Sequence, residues 1–117
     1  MTWELTLASE PAGGATVVRV KGRLGTATSG GLIEALGAAI DAGERRLVVD
    51  LADVDYTSSA GLLALDAVSG RMALAGGRLV LCGLVEPVRM ALDLASLLPH
   101  FTIAASREAA LAILAEG

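Results

Sequence analysis

The chain has 117 residues and a formal net charge of −4 at pH 7, a length that predicts one domain over residues 1–117, burying roughly two-thirds of its unfolded surface, with no room for a second core. An acidic balance without any Lys/Arg cluster argues against a nucleic-acid face. A composition 54% hydrophobic but only 3% aromatic implies an aliphatic core without a ring-lined cofactor pocket, and the single cysteine, Cys82, excludes a disulfide framework.

In chain order, residues 3–8 alternate apolar and polar, residues 10–14 are rich in turn formers, and residues 15–21 alternate again, which predicts a β-hairpin. Gly22 and Gly25 predict that residues 22–28 form a loop leading into a helix capped by Thr26 or Thr28. The helix is expected from Ser29 to Ala42, where Leu32, Ile33, Leu36, Ala39 and Ile40 share a face and Gly43 supplies the stop. A β-branched strand follows at residues 46–51, and Asp53 and Asp55 fit a turn, while Asp50 is placed to satisfy loop amides.

Thr57, Ser58 and Ser59 then precede a helix running from Leu62 to about Ala75, which Gly76 and Gly77 end before a strand at residues 78–81. This is a strand, helix, strand unit with a parallel crossover. A helix from about Leu84 to Leu97 tolerates Pro87 only in its first turn. A short strand at residues 101–103 and a helix capped by Ser106 complete the chain. The expected fold is α/β: a small mixed sheet of about five strands with about four helices packed mainly on one face.

The chemistry is narrowed by what is missing. His100 follows Pro99 with no neighbouring acid in sequence to orient it, and no Gly-x-Ser-x-Gly elbow is present, so a serine hydrolase is not supported and His100 reads as a surface loop residue. One Cys and one His cannot build a zinc site, and Asp50, Asp53 and Asp55 lack the glycine and terminal glutamate of a calcium loop. No P-loop lysine accompanies the glycines. We therefore expect no metal, no cofactor and no enzymatic activity. No basic stretch precedes an apolar leader core at the N-terminus and no run reaches membrane-spanning length, which predicts a cytoplasmic protein without direct membrane insertion.

What remains is a group of three hydroxyls at a helix N-terminus, where unpaired N–H groups and the positive end of the helix dipole favour an anion. Either they cap the helix and nothing more, or one of them is where a phosphate is bound or attached.

The element order, the Gly22 to Thr26 loop, the Leu47 to Leu51 strand, the Tyr56 to Leu62 segment, and the Gly76 to Leu81 strand followed by a helix with Leu92 together resemble the STAS-domain family, in its anti-sigma factor antagonist type. In that family the hydroxyl segment usually reads Asp, a phosphorylatable Ser, Ser or Thr, then Gly and Leu. Aligning on Gly61 and Leu62 puts Ser59 at the phosphoacceptor, with Ser58 as second candidate standing where the Asp is often found. The loop after the second strand commonly carries an acid where Gly25 stands here.

The resemblance implies a phosphoprotein that switches partners. Unphosphorylated, it binds an anti-sigma factor serine kinase, and phosphorylated it lets go, so that a sigma factor is regulated only indirectly. Arg23, Gly25, Thr26, Thr57, Ser58 and Gly61 are the implied partner-contact residues. The alternative within the same family is a constitutive scaffold subunit of a lipid transport complex or a stressosome-like assembly, in which Ser58 and Ser59 only cap a helix.

Overall fold

The computed structural model describes residues 5–116. In chain order it forms β1 (Leu5–Ala12), β2 (Ala15–Leu24), α1 (Thr26–Asp41), β3 (Arg46–Thr57), α2 (Ser59–Leu74), β4 (Arg78–Cys82), α3 (Glu86–Leu94), a 3-10 turn (Leu98–His100), β5 (Thr102–Ala104) and α4 (Arg107–Ala115). The sheet runs β1-β2-β3-β4-β5, with β1 antiparallel to β2 and the other neighbours parallel.

Each strand's sequence reports how many of its faces are covered. β1 alternates because it packs mainly through one face, by the half-buried Leu5 and Leu7, with Ala12 alone reaching the core on the other. β3 and β4 carry unbroken apolar runs because both faces are covered. On one side Val18, Val20, Leu47, Val49, Leu51 and Leu81 meet Leu32, Leu36 and Ile40 of α1, Leu65, Val68 and Met72 of α2, and Val88 and Leu92 of α3. On the other side Val17, Val48, Val80, Cys82 and Ala104 pack under α4 through Ala110 and Leu114. Three helices thus share one face, and α4 alone takes the back.

The hairpin expectation holds from Leu5 onward, residues 3 and 4 of the expected first strand lying outside the described residues, but the turn narrows to Gly13 and Gly14. Their φ values of 54° and 83° fit the two-residue turn that joins right-twisted strands.

The glycine-rich segment departs from the expected loop. β2 continues through Gly22 to Leu24 because Gly22 adopts φ 128°, open to glycine, and the pairing with β3 shifts register on both sides of it. The same shifts overturn the expected turn at Asp53 and Asp55. The pairing goes from Arg19 with Asp50 to Lys21 with Asp53, and from Gly22 with Val54 to Arg23 with Tyr56, so β3 holds one extra residue at each step and runs on to Thr57. Asp50 therefore lies within β3 rather than at a strand end, and the amide it accepts from at 3.0 Å, that of Ala52, belongs to the strand and not to a loop.

α3 starts at Glu86 rather than Leu84. Pro87 sits in its first turn, where no helical hydrogen bond is lost, and Leu97 falls beyond its end. Among the described residues no helix is long and apolar enough to cross a membrane.

Candidate functional site

The extension of β2 and β3 brings two helix starts side by side. Arg23 pairs with Tyr56 and Leu24 with Thr57. The Ser58 amide donates to the Leu24 carbonyl at 2.9 Å, which fastens the end of β3 to the end of β2.

At the start of α1 the N-cap is Gly25, not Thr26 or Thr28. Thr28 still takes part from inside the helix: its hydroxyl accepts from the Gly25 amide at 2.9 Å and donates to the Arg23 carbonyl at 2.7 Å. Those bonds satisfy Thr28, the one buried polar residue among the described residues. Thr26, at the first helical position, is exposed.

At the start of α2 the adjacent serines divide. Ser58 is the N-cap, half-buried, and its hydroxyl accepts from the Gly61 amide at 3.4 Å. Ser59 is the first helical residue and is exposed. Helix α2 therefore begins three residues before Leu62, because Ser58 caps a first turn that apolar periodicity cannot reveal. Helix geometry leaves the first-turn amides without intrahelical acceptors, and with the Gly61 amide taken by Ser58, those of Ser59 and Ala60 face the helix entrance. No acidic residue occupies the first turn of α1 or α2.

Gly61 is buried and works by its size. A Cβ there would stand 2.5 Å from Thr57 Oγ1 and 2.8 Å from the Leu24 carbonyl oxygen. Gly25 is buried as well, whereas Thr57 is half-buried with its hydroxyl donating to the Ser58 carbonyl at 3.1 Å. Of the six residues expected at a partner surface, Arg23 and Thr26 present exposed side chains, Ser58 and Thr57 half-buried ones, and the two glycines set the spacing beneath them.

A cavity of about 280 Å³ opens between the two helix starts, lined by Gly25, Thr26, Ala27, Tyr56 and Ser58. The Arg23 guanidinium lies 5.7 Å from the centroid of the Tyr56 ring. Neither Tyr56, which the sequence offers only as part of a family motif, nor Ala27 is among the expected site residues. Their place here depends on the β2–β3 register, which the extra residues in β3 hide.

His100 has a neighbour that the sequence did not reveal, since its Nδ1 lies 3.1 Å from Asp66 Oδ1 on α2. Asp66 follows Ser59 by seven residues, about 10 Å along the helix axis.

Residues 7–110 match the family described as the STAS domain. The chain is 39% identical over 99 residues to BtrV of Bordetella bronchiseptica, a proposed anti-sigma factor antagonist, covering 85% of each protein. A crystal structure of an anti-sigma factor antagonist from Mycobacterium paratuberculosis superposes with a TM-score of 0.87 at 26% identity, over 96% of this chain and 95% of that one. The phosphorylated form of the Bacillus cell fate determinant SpoIIAA shares the fold, with a TM-score of 0.70 at 17% identity over 92% of this chain and 99% of that one.

Proposed function

This chain belongs to the STAS domain family, and from that membership we propose that it is an anti-sigma factor antagonist whose binding to an anti-sigma factor serine kinase is released by phosphorylation of Ser59. The division of labour between the two serines carries the reading. Ser58 is committed to capping α2, while Ser59 stands exposed at the first helical position. A kinase needs an accessible hydroxyl on a backbone it can hold, and Ser59 offers both.

Phosphate at this position adds about −1.5 to −2 charges at neutral pH. The helix dipole and the first-turn amides favour it there by about 0.3–1 kcal/mol, so modification changes the docking surface without working against the fold. The likeness to BtrV and to the mycobacterial antagonist supports the regulatory assignment, and SpoIIAA illustrates a protein of this fold carrying a phosphate. In this reading the contact surface is made by Arg23, Thr26, Thr57 and Ser58, over the spacing set by Gly25 and Gly61.

The test is incubation with the anti-sigma factor kinase of the same organism and ATP, read by intact mass and peptide mapping. One phosphate on Ser59, none on the Ser59→Ala variant, and a weaker kinase complex for Ser59→Asp are expected. Phosphate on Ser58 alone contradicts the site. Copurification with a transport ATPase that is indifferent to Ser59→Ala would replace the switch with a scaffold subunit.

A further inference from the structure

Beyond that switch, we propose that the outer face of α2 is a seam between two copies of this chain, which lie side by side with their α2 helices parallel and in register. The helix buries Leu65, Val68 and Met72 in the core, and its opposite side carries Leu63, Ala67, Gly70 and Leu74. Spacings of four, three and four residues keep these in one line along the helix, the spacing of a two-helix seam. Leu63 is 63% exposed and Leu74 91% exposed. A lone exposed leucine needs no explanation, but an apolar line bounded by charge on both sides is the pattern of a contact.

Gly70 sits in the middle of that line. A glycine inside a helix weakens it relative to alanine, and a Cβ here would meet nothing within 4 Å, so no contact within the chain requires the small residue. Between two copies, Ala67 and Gly70 let the helices approach closely while the leucines close the seam at either end.

Charge selects the occupant and its direction. Asp66 and Arg71 are the two charged residues of α2, and five residues of helix set them about 140° apart, one on each side of the line. When two copies run parallel, the Asp66 side of one meets the Arg71 side of the other at the five-residue offset by which flanking charges pair across such a seam, and the two-fold axis repeats the pair. Antiparallel helices would instead set the Asp66 sides together and the Arg71 sides together. The neighbouring elements fit the parallel arrangement. On the Arg71 side, Glu34 and Asp41 of α1 are offset by Arg45 and Arg71 itself, with Asp41 accepting from Arg71 at 2.9 Å. On the other side His100 stands 3.1 Å from Asp66, and α3 adds Glu86, Arg89 and Asp93. An acidic side therefore meets a balanced one whose guanidinium borders the seam, and each new pair links Asp41–Arg71 of one copy to Asp66–His100 of the other. The five N–H donors of Arg71 exceed what one carboxylate takes.

Sedimentation equilibrium of the unphosphorylated protein, without kinase, from about 10 μM to about 1 mM, tests the seam. A monomer–dimer equilibrium is expected, weakened about fivefold by Asp66→Arg or by Arg71→Asp alone and regained when the two variants are mixed in equal amounts. The contacts within each chain are the same mixed or unmixed, so recovery reports the contact between copies. Gly70→Met, whose side chain has open space in the single chain, is expected to abolish the dimer without lowering the urea midpoint. A wild type that stays monomeric, a dimer indifferent to Gly70→Met, or a mixture no tighter than its components would overturn the proposal. Equal affinities for the wild type and both charge variants would overturn the parallel register, since antiparallel helices set like charges together in all three. A monomeric wild type whose kinase complex is lost with Gly70→Met would give the face to the kinase instead. Phosphotransfer to Ser59 is measured separately, so failure of the seam is distinguishable from failure of the switch.

Discussion

Ser58 and Ser59 differ by one position in sequence and by what occupies their hydroxyls. Removing the Ser58 cap should cost about 0.5–1 kcal/mol, at the lower end of cap losses because its bond to the Gly61 amide is long at 3.4 Å. Ser58→Ala is therefore expected to lower the urea midpoint slightly, while Ser59→Ala leaves it unchanged. Equal losses from both would contradict the division of roles. Gly61→Ala should cost about 1–3 kcal/mol in the same experiment, since the new methyl meets Thr57 and the Leu24 backbone. Composition could not separate the two serines. That took the N-cap geometry of Ser58, fixed by the bond from its own amide to the Leu24 carbonyl.

At the scale of elements, α4 is the helix that stands apart. It is tied to the sheet by the Arg107 guanidinium, which donates to Glu10 at 2.8 Å and to Asp50 at 3.4 Å, and by the burial of Ala110 and Leu114. Solvent-accessible ion pairs contribute little, whereas a deleted core leucine leaves a cavity. Urea melts should show Arg107→Gln nearly unchanged and Leu114→Ala weakened by about 2–3 kcal/mol; the reverse order would mean that charge, not packing, holds the helix.

Beneath α4, burial with a contribution from Asp50 pushes the Cys82 thiol up to about 11 from its ordinary 9.0. Between those values the unfolded chain sheds a proton that the folded chain keeps, so stability falls as pH rises from about 9 to about 11. Cys82→Ala should flatten that slope in urea melts across the window. The β2–β3 pair marks the limit of sequence reading at this scale. Residues 46–51 announce their strand by an apolar run, but its continuation to Thr57 is written in polar residues and held by pairing with Gly22 to Leu24, which leaves no periodic signal.

Across the whole molecule, the order of strands and helices, the parallel crossover and the predominance of one helical face were readable from hydrophobic period and glycine punctuation, because these depend on neighbours in sequence. The cavity, the Arg23–Tyr56 stack and the His100–Asp66 contact were not. Each joins residues from separate elements, and the offset between them is set by the extra residues in β3 or by the turn after α3. The two helix starts converge because β2 and β3 are parallel and end together, and on that convergence the proposed switch depends.

Its most direct measurement follows the kinase complex during phosphorylation, with intact mass and complex dissociation recorded on the same sample. Loss of the complex in step with a single phosphate on Ser59, and its persistence with Ser59→Ala, is the predicted result. A complex that persists when Ser59 is fully phosphorylated would contradict the account.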